Sequence, residues 1–217
     1  MEKMSKGMRT KMRILESAKK VFYENGYDDA IVQQIADESE TTLGSLTYHF
    51  ATKATIVDAI MSEYLSAIKE RIQSTYKKDK LNHFKEHFFL TIIYYNNLLN
   101  DEKTKRFYYE THLNSALFDF LFRDIGSIYQ GFIRDFNLRI TPSEFEAILI
   151  ADLGARRASA MAFYNGQIQM SVNEFAAFLI SNTGRMFSIQ EDIIYESRKE
   201  ALTFYGSQDF SDIKALD

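Results

Sequence analysis

The chain has 217 residues, 46% of them hydrophobic, with one proline, nine glycines and no cysteine. That length supports one or two domains with a sizeable core, and the missing cysteine excludes a disulfide framework and any thiolate metal site. The formal charge is −4; no run approaches membrane-spanning length and no apolar signal core opens the chain, so the expectation is a soluble cytoplasmic protein with no membrane partner.

The charge is uneven along the chain. Residues 1–20 hold seven bases (Lys3, Lys6, Arg9, Lys11, Arg13, Lys19, Lys20) against Glu2 and Glu16. Over residues 1–53 eight bases balance eight acids, and from residue 54 on there are eighteen bases and twenty-two acids. An acidic protein can still bind a polyanion when its bases face the phosphates, so the basic arm is the expected electrostatic footprint.

Ile14, Leu15, Ala18, Val21 and Phe22 give the first helix one apolar face. Gly26 stands where that helix stops. Val32, Ile35 and Ala36 supply the buried stripe of a short second helix, and Thr41 and Thr42 offer hydroxyl caps for a third, Leu43 to His49. Thr52 caps a fourth helix and places Lys53 in its first turn, where free N–H groups, the helix dipole and a lysine form a phosphate site. Two short helices joined by a tight turn and preceded by a third form a helix-turn-helix.

Gly26-Tyr27, Val32, Ile35-Ala36, Gly44, Leu46, Phe50 and Lys53 fall in one register. In that register the segment from about residue 9 to 65 resembles the TetR family of bacterial transcriptional regulators. The resemblance implies an all-α fold, with a three-helix helix-turn-helix module for DNA (residues 1–54) and a C-terminal helical bundle for ligand binding and dimerisation (residues 55–217). It implies that Gln33, Thr42, Leu43, Gly44, Ser45, Tyr48 and His49 lie at or near the DNA groove, with Lys53 on a phosphate. Four positions depart from the pattern. Leu43 stands where a lysine is usual and Thr47 where a tyrosine is usual; Ile31 replaces a threonine, and Glu40 occupies a turn position that usually holds glycine.

Beyond the module, Ile56, Val57, Ile60, Met61, Tyr64, Leu65 and Ile68 form one stripe of a long helix whose end, Tyr76 to Lys80, reads as solvated. Helical periods continue over 81–100, break at Asn100-Asp101, and resume near 102–113. Leu117 to Phe136 is apolar on several faces, which suits a buried helix. Thr141-Pro142-Ser143-Glu144 and Ser171-Val172-Asn173-Glu174 are capping boxes that open helices to about 165 and 188. A final helix carries Ile193, Ile194, Ala201, Leu202 and Tyr205.

Fourteen of the 31 phenylalanines and tyrosines lie between 84 and 136. The resemblance places a ligand pocket there, with Phe84, His87, Phe88, Tyr94, Tyr108, His112, Phe122 and Tyr129 as its candidates. An apolar or aromatic small molecule is the expected effector; Glu86 and Glu110 leave a cation open. Ala147, Ala151, Ala155, Ala158 and Ala162, with Gly154, form a small-residue face that permits close helix approach. The resemblance implies a homodimer built on the helices from 141 and 171, with Ala151, Ala155, Ala158, Ala162, Phe175 and Leu179 in the interface. His83 and His87 share a helix face but lack further ligands, so no metal or other cofactor is assigned. The residues form no nucleophile, base and orienter set, and no catalytic residue is assigned. The reading is a ligand-responsive regulator, most simply a repressor; an interaction protein that kept the fold and lost operator binding is the alternative, motivated by Leu43, Thr47 and the acidic turn.

Overall fold

A computed structural model describes residues 5–76, 81–114 and 116–216. Lys3 of the basic arm and residues 77–80 of the stretch read as solvated lie outside them. The described residues form ten helices, as the all-α expectation requires.

Helix α1 (Lys6–Asn25) starts on Ser5, whose hydroxyl accepts from Met8 N at 3.2 Å, and buries Ile14, Leu15, Ala18 and Phe22. Helices α2 (Val32–Glu38) and α3 (Leu43–His49) pack on it. The shared core of this module is Ile14, Ala18, Phe22, Ile35, Ala36, Leu46 and Phe50, closed from below by Ile56 and Ile60 of α4 (Lys53–Thr75). Each of its larger apolar side chains contributes about 1.5–3 kcal/mol on full burial. Because α4 starts at Lys53 and runs unbroken into the body, the boundary at 54/55 falls within its first turn.

The body is organised around α5 (His83–Leu99), which packs against α4, α6 (Glu102–Leu113), α7 (Phe118–Asp135), α9 (Val172–Met186) and α10 (Glu191–Gly206). Its composition explains this centrality. Phe84, Phe88, Phe89, Ile92, Ile93, Tyr94, Tyr95 and Leu98 cover every face of the helix, so it has no solvent side. Helix α8 (Pro142–Tyr164) and α9 lie to one side, each opened by the expected capping box, with Glu144 accepting from Thr141 N and Glu174 from Ser171 N, both at 2.8 Å. The segment after α10 folds back: Asn97 Nδ2 donates to the carbonyls of Phe210 (3.0 Å) and Ile213 (2.7 Å).

The module meets the body mainly where α1 ends. Phe22 packs on Phe107 of α6 with ring centroids 5.3 Å apart. Glu110 accepts from Asp28 N at 2.9 Å and from Arg106 Nε at 2.6 Å, Arg106 also donates to Asp29 at 2.7 Å, and Asn114 donates to Asp28 at 2.7 Å. Gly26, with φ 75° and ψ −174°, occupies a backbone region open essentially to glycine alone. A Cβ there would stand 2.5 Å from Glu110 Oε2. We therefore expect Gly26→Ala to lower the unfolding free energy by about 1–3 kcal/mol, measured as a fall in urea midpoint at unchanged m-value.

Candidate functional site

The turn between α2 and α3 is built from short hydroxyl side chains. Ser39 is fully buried, donates to Ala36 O at 3.1 Å and pairs with Thr41 Oγ1 at 2.9 Å. Glu40 takes φ 49°, a left-handed value that explains why glycine suits this position and that costs a glutamate some strain. Thr42 caps α3 by accepting from Ser45 N at 3.1 Å, so its hydroxyl holds the turn.

Helix α3 buries Leu46 and presents Leu43, Gly44, Thr47 and Tyr48, which at i, i+1, i+4 and i+5 share one face. Tyr48 is 85% exposed and Leu43 43%. A Cβ on Gly44 would touch nothing within 4 Å, so internal packing does not demand glycine there. His49 is half-buried against the Tyr48 ring at 5.1 Å, and Gln33 is exposed on α2, tied to Asp37 at 2.7 Å. Lys6, Lys11 and Arg13 are exposed on α1. This is a solvent-facing helix with basic groups on the neighbouring helix and no internal structural demand for its outer residues.

Lys53 is a correction. Its ammonium donates to the carbonyls of Tyr27 (2.5 Å) and Ala30 (3.0 Å) and lies 4.2 Å from the Tyr27 ring centre. The lysine thus ties the α1–α2 turn to α4 rather than standing free for a phosphate. Loss of these charge-assisted bonds should cost about 1.5–3 kcal/mol, so Lys53→Met is expected to lower the urea midpoint even with no DNA present.

In the body, His87, Tyr94, Tyr108 and His112 converge on one cavity between α5, α6, α7 and α8, together with Tyr95, Phe120 and Arg156. About 30 Å³ of it is open to the centre of a water-sized group. Three of its lining residues each hold a polar atom, His87 Nδ1, Tyr94 Oη and His112 Nε2, that is buried without a hydrogen-bond partner among the described residues. A larger, more open cleft of about 550 Å³ lies beneath the segment after α10, with Asn97 and Asp101 in its wall. Those two side chains already have partners in Phe210, Ile213 and Thr104. The unmet polar atoms single out the smaller cavity.

The other four pocket candidates lie elsewhere. Phe84 and Phe88 are fully buried core, with Phe84 edge-on to Phe132 at 5.4 Å. Tyr129 is buried with its hydroxyl on Asp152, and Phe122 is 37% exposed on a surface groove beside Phe145. Among the described residues no acid lines the cavity: Glu110 is held at the α1 junction and Glu86 accepts from Gln73 at 3.0 Å, so neither acid is there to answer a cationic guest. His83 bonds Asp135 at 2.8 Å while His87 turns inward, so the two imidazoles do not converge.

The sequence reading missed a buried ion pair. Arg156 Nε donates to Asp152 at 2.6 Å and its Nη2 donates to Thr183 at 2.8 Å. Thr183 in turn donates to Asp152 Oδ1 at 2.6 Å. Burial disfavours the Arg156 cation, but adjacent Asp152 outweighs it and holds the group charged. The signal in the sequence was Asp152 and Arg156 at i, i+4 on a face between buried Leu149 and Ala160.

Helix α8 turns Ala147, Ile150, Ala151, Gly154, Ala155 and Ala158 to solvent, with Ile150 56% exposed. A Cβ on Gly154 would meet nothing within 4 Å. Phe178 of α9 is 39% exposed. Ala162 is half-buried. Phe175 and Leu179 are corrections: both are buried inside the subunit, Phe175 stacked on Phe163 at 4.4 Å, because the helical period sends Phe178 outward instead.

The profile of bacterial regulatory proteins of the tetR family matches residues 14–60. Residues 14–60 are thus a tetR-family segment. It is 35% identical over 69 residues to the A-factor receptor protein of Streptomyces griseus, covering 32% of this chain and 25% of that protein. It is 33% identical over 115 residues to the HTH-type transcriptional regulator QacR of Staphylococcus aureus, covering 52% and 54%. The chain thus spans about a quarter and about half of these two relatives. Among solved structures it is similar to RolR in complex with resorcinol, with a TM-score of 0.61 at 14% identity over 90% of this chain and 94% of that one. It is also similar to the TetR regulator tylp of Streptomyces fradiae, with a TM-score of 0.57 at 13% identity over 94% and 99%. At such identities the two structures establish the shared fold. No helix among the described residues is long and apolar enough to cross a membrane.

Within the body the two cavity histidines are held neutral. Burial, reinforced by Arg156, pushes His87 well below the ordinary imidazole range, and burial with Arg157 pushes His112 from 6.5 down to about 4. Each binds its proton less readily folded than unfolded, so its stabilising contribution is whole above 6.5 and is lost as pH falls toward the folded value. We expect the unfolding free energy to fall between pH 7 and pH 4, with a slope of up to about 1.4 kcal/mol per pH unit for each proton. His112→Phe should flatten that slope in urea melts across the range.

Proposed function

We propose that the chain is a homodimeric, ligand-responsive transcriptional regulator, most simply a cytoplasmic repressor that leaves its operator when a small molecule fills the α5–α8 cavity. The observation that carries this reading is the double role of α6. Tyr108 and His112 face the cavity, while Arg106 and Glu110 on the same helix, with Asn114 just past its end, grip the Asp28–Asp29 turn that precedes α2. A benzene-sized guest needs a cavity of about 150 Å³, against about 30 Å³ open here. Its entry must therefore move a wall, and a shift of α6 is passed directly to the recognition module. Such a guest favours whichever state has the wider cavity, and so biases the spacing of two modules in a dimer.

The exposed Leu43–Tyr48 face supports α3 as the groove-reading helix, with Gly44 leaving room for close backbone approach and basic α1 groups on the flanking phosphates. The exposed small-residue face of α8, with Phe178 of α9, supports a twofold helix contact. The test is a titration of the chain against the DNA upstream of its own gene, followed by anisotropy, with and without aromatic small molecules. Salt-sensitive, sequence-selective binding that a guest releases is the expected result. Binding no tighter than to random DNA would instead favour an interaction protein, a reading that Leu43 supports because it places an apolar side chain where a base would serve DNA better.

Two substitutions separate the parts. Leu43→Lys should raise affinity for DNA of any sequence and steepen its salt dependence by about one ion; no gain at low salt would remove position 43 from the interface. Ala155→Arg should convert the dimer to monomer in sedimentation with helicity retained, and weaken operator binding because the half-sites are no longer held in register. A dimer that survives this change places the interface elsewhere.

A further inference from the structure

The cavity wall carries its own hydrogen-bond grammar. His87 Nε2 lies 3.5 Å from Arg156 Nη2, and a guanidinium only donates, so Nε2 is the acceptor and the ring proton sits on Nδ1. That Nδ1–H has no partner among the described residues, nor have Tyr94 Oη and His112 Nε2. Each unmet buried group costs on the order of 1–3 kcal/mol, and folded proteins tolerate few of them. Leu65, Leu90, Phe120, Leu121 and Ile125 supply the apolar part of the wall, beside Thr91, Arg156 and the paired hydroxyls of Tyr95 and Tyr108.

Charge narrows the guest further. Arg156 is the one charged residue in the wall among the described residues, and Asp152 and Thr183 already satisfy it. A cationic guest would sit beside that guanidinium with no carboxylate to answer it. An anionic guest would leave water without a free cation to receive it. Either charge loses its hydration uncompensated.

We infer that the cavity takes an uncharged, compact molecule with an apolar, ring-sized body and a hydrogen-bonding oxygen, which accepts from His87 Nδ1–H and engages the Tyr94 hydroxyl and the His112 imidazole. This rests on reading the cavity as the effector site. The resting space suits one or two waters, which such an oxygen replaces bond for bond.

Four ligands of nearly one shape test this by calorimetry on the full chain at neutral pH: benzyl alcohol, ethylbenzene, benzoate and benzylammonium. Benzyl alcohol should bind about tenfold tighter than ethylbenzene, the worth of one net hydrogen bond, and both charged ligands more weakly than either. Tyr94→Phe, which keeps the ring, and His112→Phe should each cut the alcohol's advantage over ethylbenzene at least threefold, with melting curves confirming that both variants fold. An unchanged advantage in both variants overturns the polar seat. Benzoate or benzylammonium binding as tightly as the alcohol overturns the uncharged class but leaves the cavity as the effector site. If none of the four binds, both the ligand class and the effector-site reading fall.

Discussion

A single buried cation orders the C-terminal body. Arg156 on α8 reaches Asp152 on its own helix, Thr183 on α9 and the edge of His87 on α5, while Tyr129 of α7 closes on the same carboxylate. Four helices thus converge on one charge pair. Breaking such a pair by removing one partner is costly, about 3–5 kcal/mol, because the survivor stays buried and uncompensated. The pair fixes the rotation of α8, and with it which residues of that helix look outward. It also fixes the tautomer of His87 and the neutrality of the cavity wall. The cavity's chemistry and the outward small-residue face are therefore two products of one electrostatic constraint.

The junction between module and body is of a different kind. The Arg106–Asp29 and Lys103–Glu24 pairs are largely exposed, and solvent and salt screen such contacts until they contribute little. Phe22 against Phe107 and the bond from Asp28 N to Glu110 supply its firmer part. The module is continuous with the body through α4 and rests on α6 only through a small apolar contact and a screened rim, so α6 can shift against it about α4. The geometry of Gly26 adds precision, because its backbone conformation lets α6 approach closely enough for Glu110 to reach the turn.

The elements were legible because their signals are local. Thr42, Thr52, Thr141 and Ser171 cap the helices that their hydroxyls announce, and Pro142 fits the first turn of α8. The exposed face of α3 follows from its period of 3.6. What the sequence concealed was tertiary. Lys53 looks like a free base in one dimension, yet its partners are carbonyls more than twenty residues earlier. Phe84, Phe88 and Tyr129 are as aromatic as the true cavity residues, and composition cannot say which ring faces a void. Phe175 and Phe178 differ only by their angle around α9. Asp152 and Arg156 were readable as an i, i+4 pair, but only burial on both sides distinguishes a structural ion pair from a solvated one.

If the cavity takes the proposed guest, its tightness also governs time. Its walls leave no room for a ring until they part, so a guest waits for a spontaneous opening rather than for a collision. Its observed affinity is scaled down by the fraction of molecules open at any moment. Above a modest concentration the uptake rate then stops rising and equals the opening rate. A receptor built this way ignores brief pulses of its ligand and answers only to exposure that outlasts the opening time.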